Sequence, residues 1–309
     1  MIIKPMLPSS VHIPVLLTEV LTALRPAPGN TVIDATINGG GHARALLQEI
    51  GPTGRLLGLD RDPTVIDRLR PVAASDIEGG RLRLVVANFA HISQVARSEG
   101  FSGADAIVFD LGLSTHHLEA SGRGFSFERD EPLDLRFDTA DPELHPAARL
   151  IRKVRADTLA RIISTYGEER HARRIARHVV QVRTRRPIET ATALRDCVIE
   201  ALPPQARQHG LRSVARVFQA LRIVTNGELD SLGRALPQVP PLLRPGGRVA
   251  AIAFHSLEDR IVKRFFRQAA AAGELSIVTK KPLRPGIAET RDNPRARSAR
   301  LRVAERPAG

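Results

Sequence analysis

Three carboxylates each close a short apolar run: Asp34 ends Thr31-Val-Ile-Asp, Asp60 ends Arg55-Leu-Leu-Gly-Leu-Asp, and Asp110 ends Ala104-Asp-Ala-Ile-Val-Phe-Asp. A carboxylate at the end of a buried strand is costly unless it is paired or faces a cleft, so each is a candidate for binding or catalysis. Asp34 opens the segment Asp34-Ala-Thr-Ile-Asn-Gly-Gly-Gly-His42. Its contiguous Gly39, Gly40 and Gly41 let backbone approach a ligand closely, at the crevice where doubly wound sheets bind cofactors. Asp60 is placed to accept hydrogen bonds from two ribose hydroxyls. The glycines do not follow the G-x-G-x-x-G spacing that sets a helix N-terminus against a pyrophosphate. A ribose-bearing cofactor without phosphate fits better. S-adenosylmethionine carries an ammonium that suits Asp34; a nicotinamide enzyme would share the sheet and Asp60 but not this spacing.

Other candidates lie at the ends of neighbouring runs. Phe89, after Asn88, is an aromatic that can pack on adenine or simply fill the core. Asp110 is followed by Leu-Gly-Leu-Ser-Thr115, and the run Arg248-Val-Ala-Ala-Ile-Ala-Phe-His255 leads into Ser256-Leu-Glu258-Asp-Arg260. His255, Ser256 and Glu258 can hold a substrate, or Glu258-Asp-Arg260 can simply be the acidic first turn of a helix. No metal is expected.

The elements that position these residues alternate. Strands are predicted at 31–37, 55–60, 81–89, 104–110 and 248–255, with helical stretches between them, the signature of βαβ units and a parallel sheet. Between about 119 and 212 the strand pattern stops. The segment is arginine-rich and helical, with predicted helices at 146–166, 168–185 and 191–202, and so long a connection reads as an inserted subdomain rather than a loop. A helix over 213–236 and the turn Pro245-Gly-Gly247 return the chain to the sheet, and 274–281 with 301–306 form a closing antiparallel pair. The expected architecture is an α/β doubly wound sheet with an all-helical insertion, divided as 1–117, 118–212 and 213–309.

The 309-residue chain carries a net charge of +13, nearly all of its cationic excess on arginine, since only five residues are lysine. Arginine binds phosphate bidentately and stacks on bases, so the charge points to nucleic acid. A single cysteine, Cys197, excludes an intramolecular disulfide framework. No apolar run approaches the length that spans a bilayer, and Met1–Ser10 lacks the charged-then-apolar start of a secretory signal, so a cytoplasmic location is expected.

At this point the chain resembles a known family, the bacterial 16S rRNA (cytosine-N4)-methyltransferases. The matching blocks are 12–20, 34–42, 110–114, Arg123-Gly-Phe-Ser-Phe127, Pro132-Leu-Asp-Leu-Arg136, Tyr166-Gly-Glu-Glu169, Val217-Phe-Gln-Ala-Leu-Arg-Ile223, 253–263 and Asn293–Arg302, in order over nearly the whole chain. The resemblance implies a class I methyltransferase fold and S-adenosylmethionine bound by Gly40, Gly41, His42, Asp60, Phe89 and Asp110. It also implies a contact at His117, where the family commonly has glutamine. Asn38 stands where the family usually has glycine, and asparagine tolerates a positive φ. The expected substrate is a cytosine in the decoding region of 16S rRNA, within the small ribosomal subunit.

Cytosine N4 is a weak nucleophile, so a carboxylate accepting its N–H would assist transfer; Asp110 is the first candidate, with His255 beside it. Asp134 and Arg136 are further candidate substrate contacts. The helical insertion and the arginines of 291–302 would hold flanking phosphates around an outturned base. Two alternatives remain at this level, a methyltransferase of another RNA and a non-catalytic RNA-binding assembly factor. A DNA amino-methylase would carry a D/N/S-P-P-aromatic signature, which is absent at 110–114.

Overall fold

The structure, a computed structural model, describes residues 14–308; Met1–Ser10 and the His12-Ile13 start of the first matching block lie outside the described residues. Seven strands form one sheet in the order β3-β2-β1-β4-β5-β7-β6. They are β1 (Thr31–Asp34), β2 (Arg55–Asp60), β3 (Leu82–Val86), β4 (Ala104–Asp110), β5 (Leu243–Ala253), β6 (Ser276–Ile277) and β7 (Arg300–Glu305). β1 to β5 pair in parallel, while β7 runs antiparallel to both β5 and β6. Parallel strands covered on both faces read as continuous apolar runs, and every residue of β4 is buried. Alternate residues feed two separate cores. Ile33, Leu57, Ile107, Phe109 and Val249 face one side, and Val32, Leu56, Ala106, Val108 and Ala250 face the other.

The chain divides into two compact units, one of residues up to Gly112 together with those from Leu232 onward, the other Leu113–Ser231. The second unit is built on helices Ala147–Lys153, Ala156–Gly167, Ala172–Arg183, Ala191–Ala201 and Gly210–Asn226. Its core joins Leu159, Ile163, Ile175, Val179, Leu194, Val198, Val217 and Leu221.

Three expectations are corrected. The second unit is wider than 118–212, because helix Gly210–Asn226 buries Val214, Val217, Phe218 and Leu221 in that unit's core. The single helix expected over 213–236 ends at Gly227, which adopts φ 60 and donates its N–H to the Ile223 carbonyl; a new helix, Glu228–Ala235, follows. The helix expected over 146–166 is broken after Lys153, and the Arg183 guanidinium donates to the freed carbonyls of Ile151 and Val154. Among the described residues no helix is long and apolar enough to cross a membrane.

Candidate active site

Because β1, β2 and β4 run parallel, Asp34, Asp60 and Asp110 all stand at the carboxyl edge of the sheet. Asp34 is in register with Gly58 and Val108, and Asp110 with Ile252. All three are nearly inaccessible, at 1%, 8% and 7% exposed. The chain leaving β1 folds across this edge. Ile37 N–H donates to the Leu59 carbonyl at 2.7 Å, and a Cβ on Gly58 would lie 2.3 Å from Ile37 Cδ1, so the strand must be bare there.

The loop also ties the carboxylates together. Thr36 N–H donates to Asp34 Oδ1 at 3.1 Å, and the Thr36 hydroxyl accepts the Asp110 N–H at 2.5 Å. Asn38 adopts φ 49, as its residue type permits. Its N–H donates to Asp60 Oδ2 at 3.1 Å and its side-chain amide to the Asp110 carbonyl at 3.0 Å, joining the ends of β2 and β4. Asn38→Gly keeps the backbone free but loses the amide bond, an expected cost of about 1 kcal/mol. Asn38→Ala adds left-handed strain and is expected to cost about 1 kcal/mol more. Chemical denaturation of the two variants checks the order, and alanine no worse than glycine would remove backbone strain from the account.

Gly40 takes φ 74, and a Cβ there would meet Leu69 Cδ2 at 2.8 Å; Gly39 is exposed beside it. Helix Gly41–Glu49 starts here, and His42 in its first turn is 4% exposed. His42 Nε2 lies 3.1 Å from the Val15 carbonyl and Nδ1 lies 3.5 Å from Asp110 Oδ2. Burial pushes this imidazole down, but the hydrogen bond and charge of Asp110, the charge of Asp34 and the Val15 carbonyl outweigh it, and the net shift is upward. Both ring nitrogens are committed within the protein, so His42 steadies Asp110 and supplies charge from behind it.

At this edge, among the described residues, two buried carboxylate oxygens lack a hydrogen-bond partner, Asp34 Oδ2 and Asp110 Oδ1. Burial above all, with Asp110 and Asp60 adding and His42 and the Thr36 N–H opposing, pushes the Asp34 carboxyl up to about 7. Buried acceptors left open call for a cation that brings N–H donors, and the ammonium of S-adenosylmethionine is one. Asp60 is oriented from below by the Asp62 N–H, which donates to its Oδ1 at 2.9 Å. Asp62, fully buried, caps helix Pro63–Val72 by accepting the Thr64 N–H at 2.9 Å. Sequence reasoning passed over Asp62, although Asp-Pro-Thr is a helix-start signal.

Phe89 begins a 3-10 turn after β3, half-buried, with its ring edge-on to Phe109 at 5.9 Å. At the end of β5, His255 is the N-cap of helix Ser256–Ala271. Its Nδ1 accepts the Glu258 N–H at 3.3 Å, while Glu258 Oε2 accepts from Phe254 N–H at 2.8 Å and His255 N–H at 3.3 Å. His255 Nε2 lies 3.1 Å from Glu258 Oε1. Glu258, 3% exposed, therefore holds His255 and the helix start; Ser256 beside them is half-buried.

The remaining candidates lie in the second unit. His117 is 2% exposed in the short helix Thr115–Glu119, its Nδ1 2.9 Å from Ser114 Oγ in a capping box and its ring 5.2 Å and 5.0 Å from Phe125 and Phe137. Asp134 and Arg136 form a two-point ion pair at 2.6 and 2.9 Å.

The sheet edge is thus suited to a cationic, ribose-bearing ligand rather than a dinucleotide. That distinction marks the S-adenosylmethionine-dependent methyltransferases among doubly wound enzymes, and the fold and site place the protein in that class. A sequence model of the MraW methylase family matches residues 9–307, and the chain belongs to that family. It is 46% identical to a Magnetococcus marinus protein named ribosomal RNA small subunit methyltransferase H, over 96% of this chain and 98% of that one. Relatives of the same name from Thermomicrobium roseum and Deinococcus radiodurans are 45% and 42% identical, covering 96% and 97% of this chain and 94% and 91% of theirs.

Proposed function

We propose that the protein methylates the exocyclic N4 of a cytosine in the decoding region of 16S rRNA, with the small ribosomal subunit as its substrate. The observation that carries this reading is near-full-length similarity to small-subunit rRNA methyltransferases, joined to an intact carboxylate edge. S-adenosylmethionine supplies an electrophilic methyl group on a sulfonium, which becomes a neutral thioether on transfer. Asp34 Oδ2 would hold its ammonium, Asp60 its ribose hydroxyls, and the backbone of Gly39, Gly40 and Gly41 its amino-acid end, with Phe89 beside the adenine.

Transfer to N4 needs alignment and a place for one N–H to point. Asp110 Oδ1 offers that acceptor, and His42 holds the other carboxylate oxygen so that the free one keeps its direction. The N4 proton leaves to Asp110 or to water as the N–C bond forms. His255, fixed by Glu258, would hold the base edge with Ser256. The family resemblance also assigns a cofactor contact to His117. Arg136, oriented by Asp134, and the other arginines of the helical unit, with Arg291, Arg295 and Arg297 of the sheet unit, would hold RNA phosphates; these last three are exposed.

The test combines purified protein, labelled S-adenosylmethionine and small subunits from cells lacking the endogenous activity. Label is expected in N4-methylcytidine after nucleoside digestion, and not with Asp60→Ala. Cofactor binding without transfer to subunits or free 16S rRNA would refute the ribosomal assignment.

A further inference from the structure

A groove of about 550 Å³ opens in the first unit immediately after β3, apart from the carboxylates of the cofactor edge. One wall is the 3-10 turn Phe89–His91 and helix Ile92–Ser98; the other is the end of helix Glu228–Ala235 and the turn Leu236–Gln238. The Gln238 side chain fixes the two walls together. Its carbonyl accepts the Ser93 N–H at 3.0 Å, and its amide donates to the Ala90 and Arg234 carbonyls, each at 2.8 Å. A side-chain amide satisfied at both ends makes a rigid floor.

The rim carries His91, Arg97 and Arg234, all exposed, and the lining contains no carboxylate. The Arg234 guanidinium lies 3.4 Å from His91 Nε2. Two guanidinium groups gathered around a neutral floor favour an anion with several acceptor oxygens. The groove is open and polar, which suits a passing chain better than an enclosed metabolite. It begins at the turn after β3, which Asn88 caps and Phe89 opens, and therefore lies toward the carboxyl edge of the sheet that also carries Asp34, Asp60 and Asp110.

We propose that this groove binds a phosphodiester of the RNA strand, a contact on the sheet unit additional to the helical unit and the 291–302 tract. The inference rests on the RNA-modifying reading above. Because such contacts release counterions, each phosphate lost lowers the slope of log affinity against log salt by about 0.7 for single strands.

The experiment uses the full-length protein and Arg97→Ala/Arg234→Ala, measuring binding of a short single-stranded RNA from the decoding region across a salt series. Affinity of the double variant is expected to fall by about tenfold at low salt, with a slope shallower by about 0.7, the loss of one phosphate contact. S-adenosylmethionine affinity, measured by calorimetry, stays at the parent value and shows that the sheet unit is folded. Arg97→Lys/Arg234→Lys, which retains the charges, restores the slope. Unchanged RNA affinity and slope in the alanine variant, with methylation of subunits intact in the parent, would overturn the groove and leave the proposed activity standing. Inorganic phosphate that binds the parent and not the variant, without affecting RNA binding, overturns it as well and marks a free-anion site. A parent protein that neither binds RNA nor methylates subunits takes down both readings.

Discussion

Replacing Asp34 with asparagine is expected to weaken binding of S-adenosylmethionine by about 10- to 100-fold, the worth of one charge-assisted hydrogen bond, while leaving the apo-protein at least as stable as the parent. Asp34 is 1% exposed, and its Oδ2 has no partner. Its charge is therefore a burden until a cationic ligand arrives. Burial first, then the nearby Asp110 and Asp60, move the carboxyl from 3.8 to about 7 in the folded chain. Between those values the folded protein holds a proton that the unfolded chain has lost, so stability falls as pH rises through this window and the cost is complete above it. That displacement corresponds to about 4 kcal/mol. Asparagine does not titrate, so urea unfolding at about pH 5 and about pH 8 should show a decline in the parent that the variant lacks. Cofactor affinity of the parent should rise over the same interval as Asp34 ionises beside His42, Asp60 and Asp110. A variant that binds the cofactor as tightly as the parent would show that Asp34 does not face it.

The largest expected loss of stability comes from Asp259. Its carboxylate receives Arg302 Nε at 2.6 Å and Nη2 at 3.2 Å, and Arg300 Nη1 at 3.3 Å. Asp259 and Arg302 are each 8% exposed. Burial pushes the Asp259 carboxyl up, but Arg302 and then Arg300 bring it below its ordinary value. Asp259→Ala leaves a buried guanidinium uncompensated, a change expected to cost about 3–5 kcal/mol and to lower Tm by about 10 °C. The stabilisation from the native pair is present at neutral pH and is lost as pH falls through the depressed pKa. A double variant with methionine at both 259 and 302 should recover most of the loss, because it removes both charges together. A drop of less than about 1 kcal/mol in Asp259→Ala would mean that Arg302 finds water instead. The pair ties helix Ser256–Ala271 to β7, and that helix carries the His255–Glu258 cap, so weaker cofactor or substrate binding should accompany the lower Tm.

β2 and β4 were legible in the sequence to the residue, because buried parallel strands leave an unbroken apolar run and end where a carboxylate appears. The carboxylate trio was legible for the same reason. Asn38 was readable as a residue able to take a positive φ, but its hydrogen bonds to Asp60 and Asp110 join residues 22 and 72 positions away and leave no local pattern. β5 was expected to start at Arg248, after the Pro245-Gly-Gly247 turn. Instead that turn lies inside the strand as a register shift, with Ala104 opposite Leu243 and Ala106 opposite Arg248. The extent of the helical unit was misjudged because helix Gly210–Asn226 has the same apolar periodicity whichever core it joins. Its end at Gly227 was signalled by Asn226-Gly227, which the long periodic run obscured.

The order of the strands has a consequence for synthesis. The 119 residues of Leu113–Ser231 are contiguous and hold their own core, so they can collapse while the chain is still emerging. The sheet cannot. β4 waits for β5 across that whole stretch, and β5 has an open edge until β7 pairs with it from Arg248↔Glu305 to Ala253↔Arg300. Loop closure on this scale is slow, and unpaired parallel edges are the surfaces most open to wrong partners. The sheet unit, which carries the proposed cofactor residues, is the last to be completed, so a nascent chain stalled before Arg300 would have a finished helical unit and an unsealed sheet.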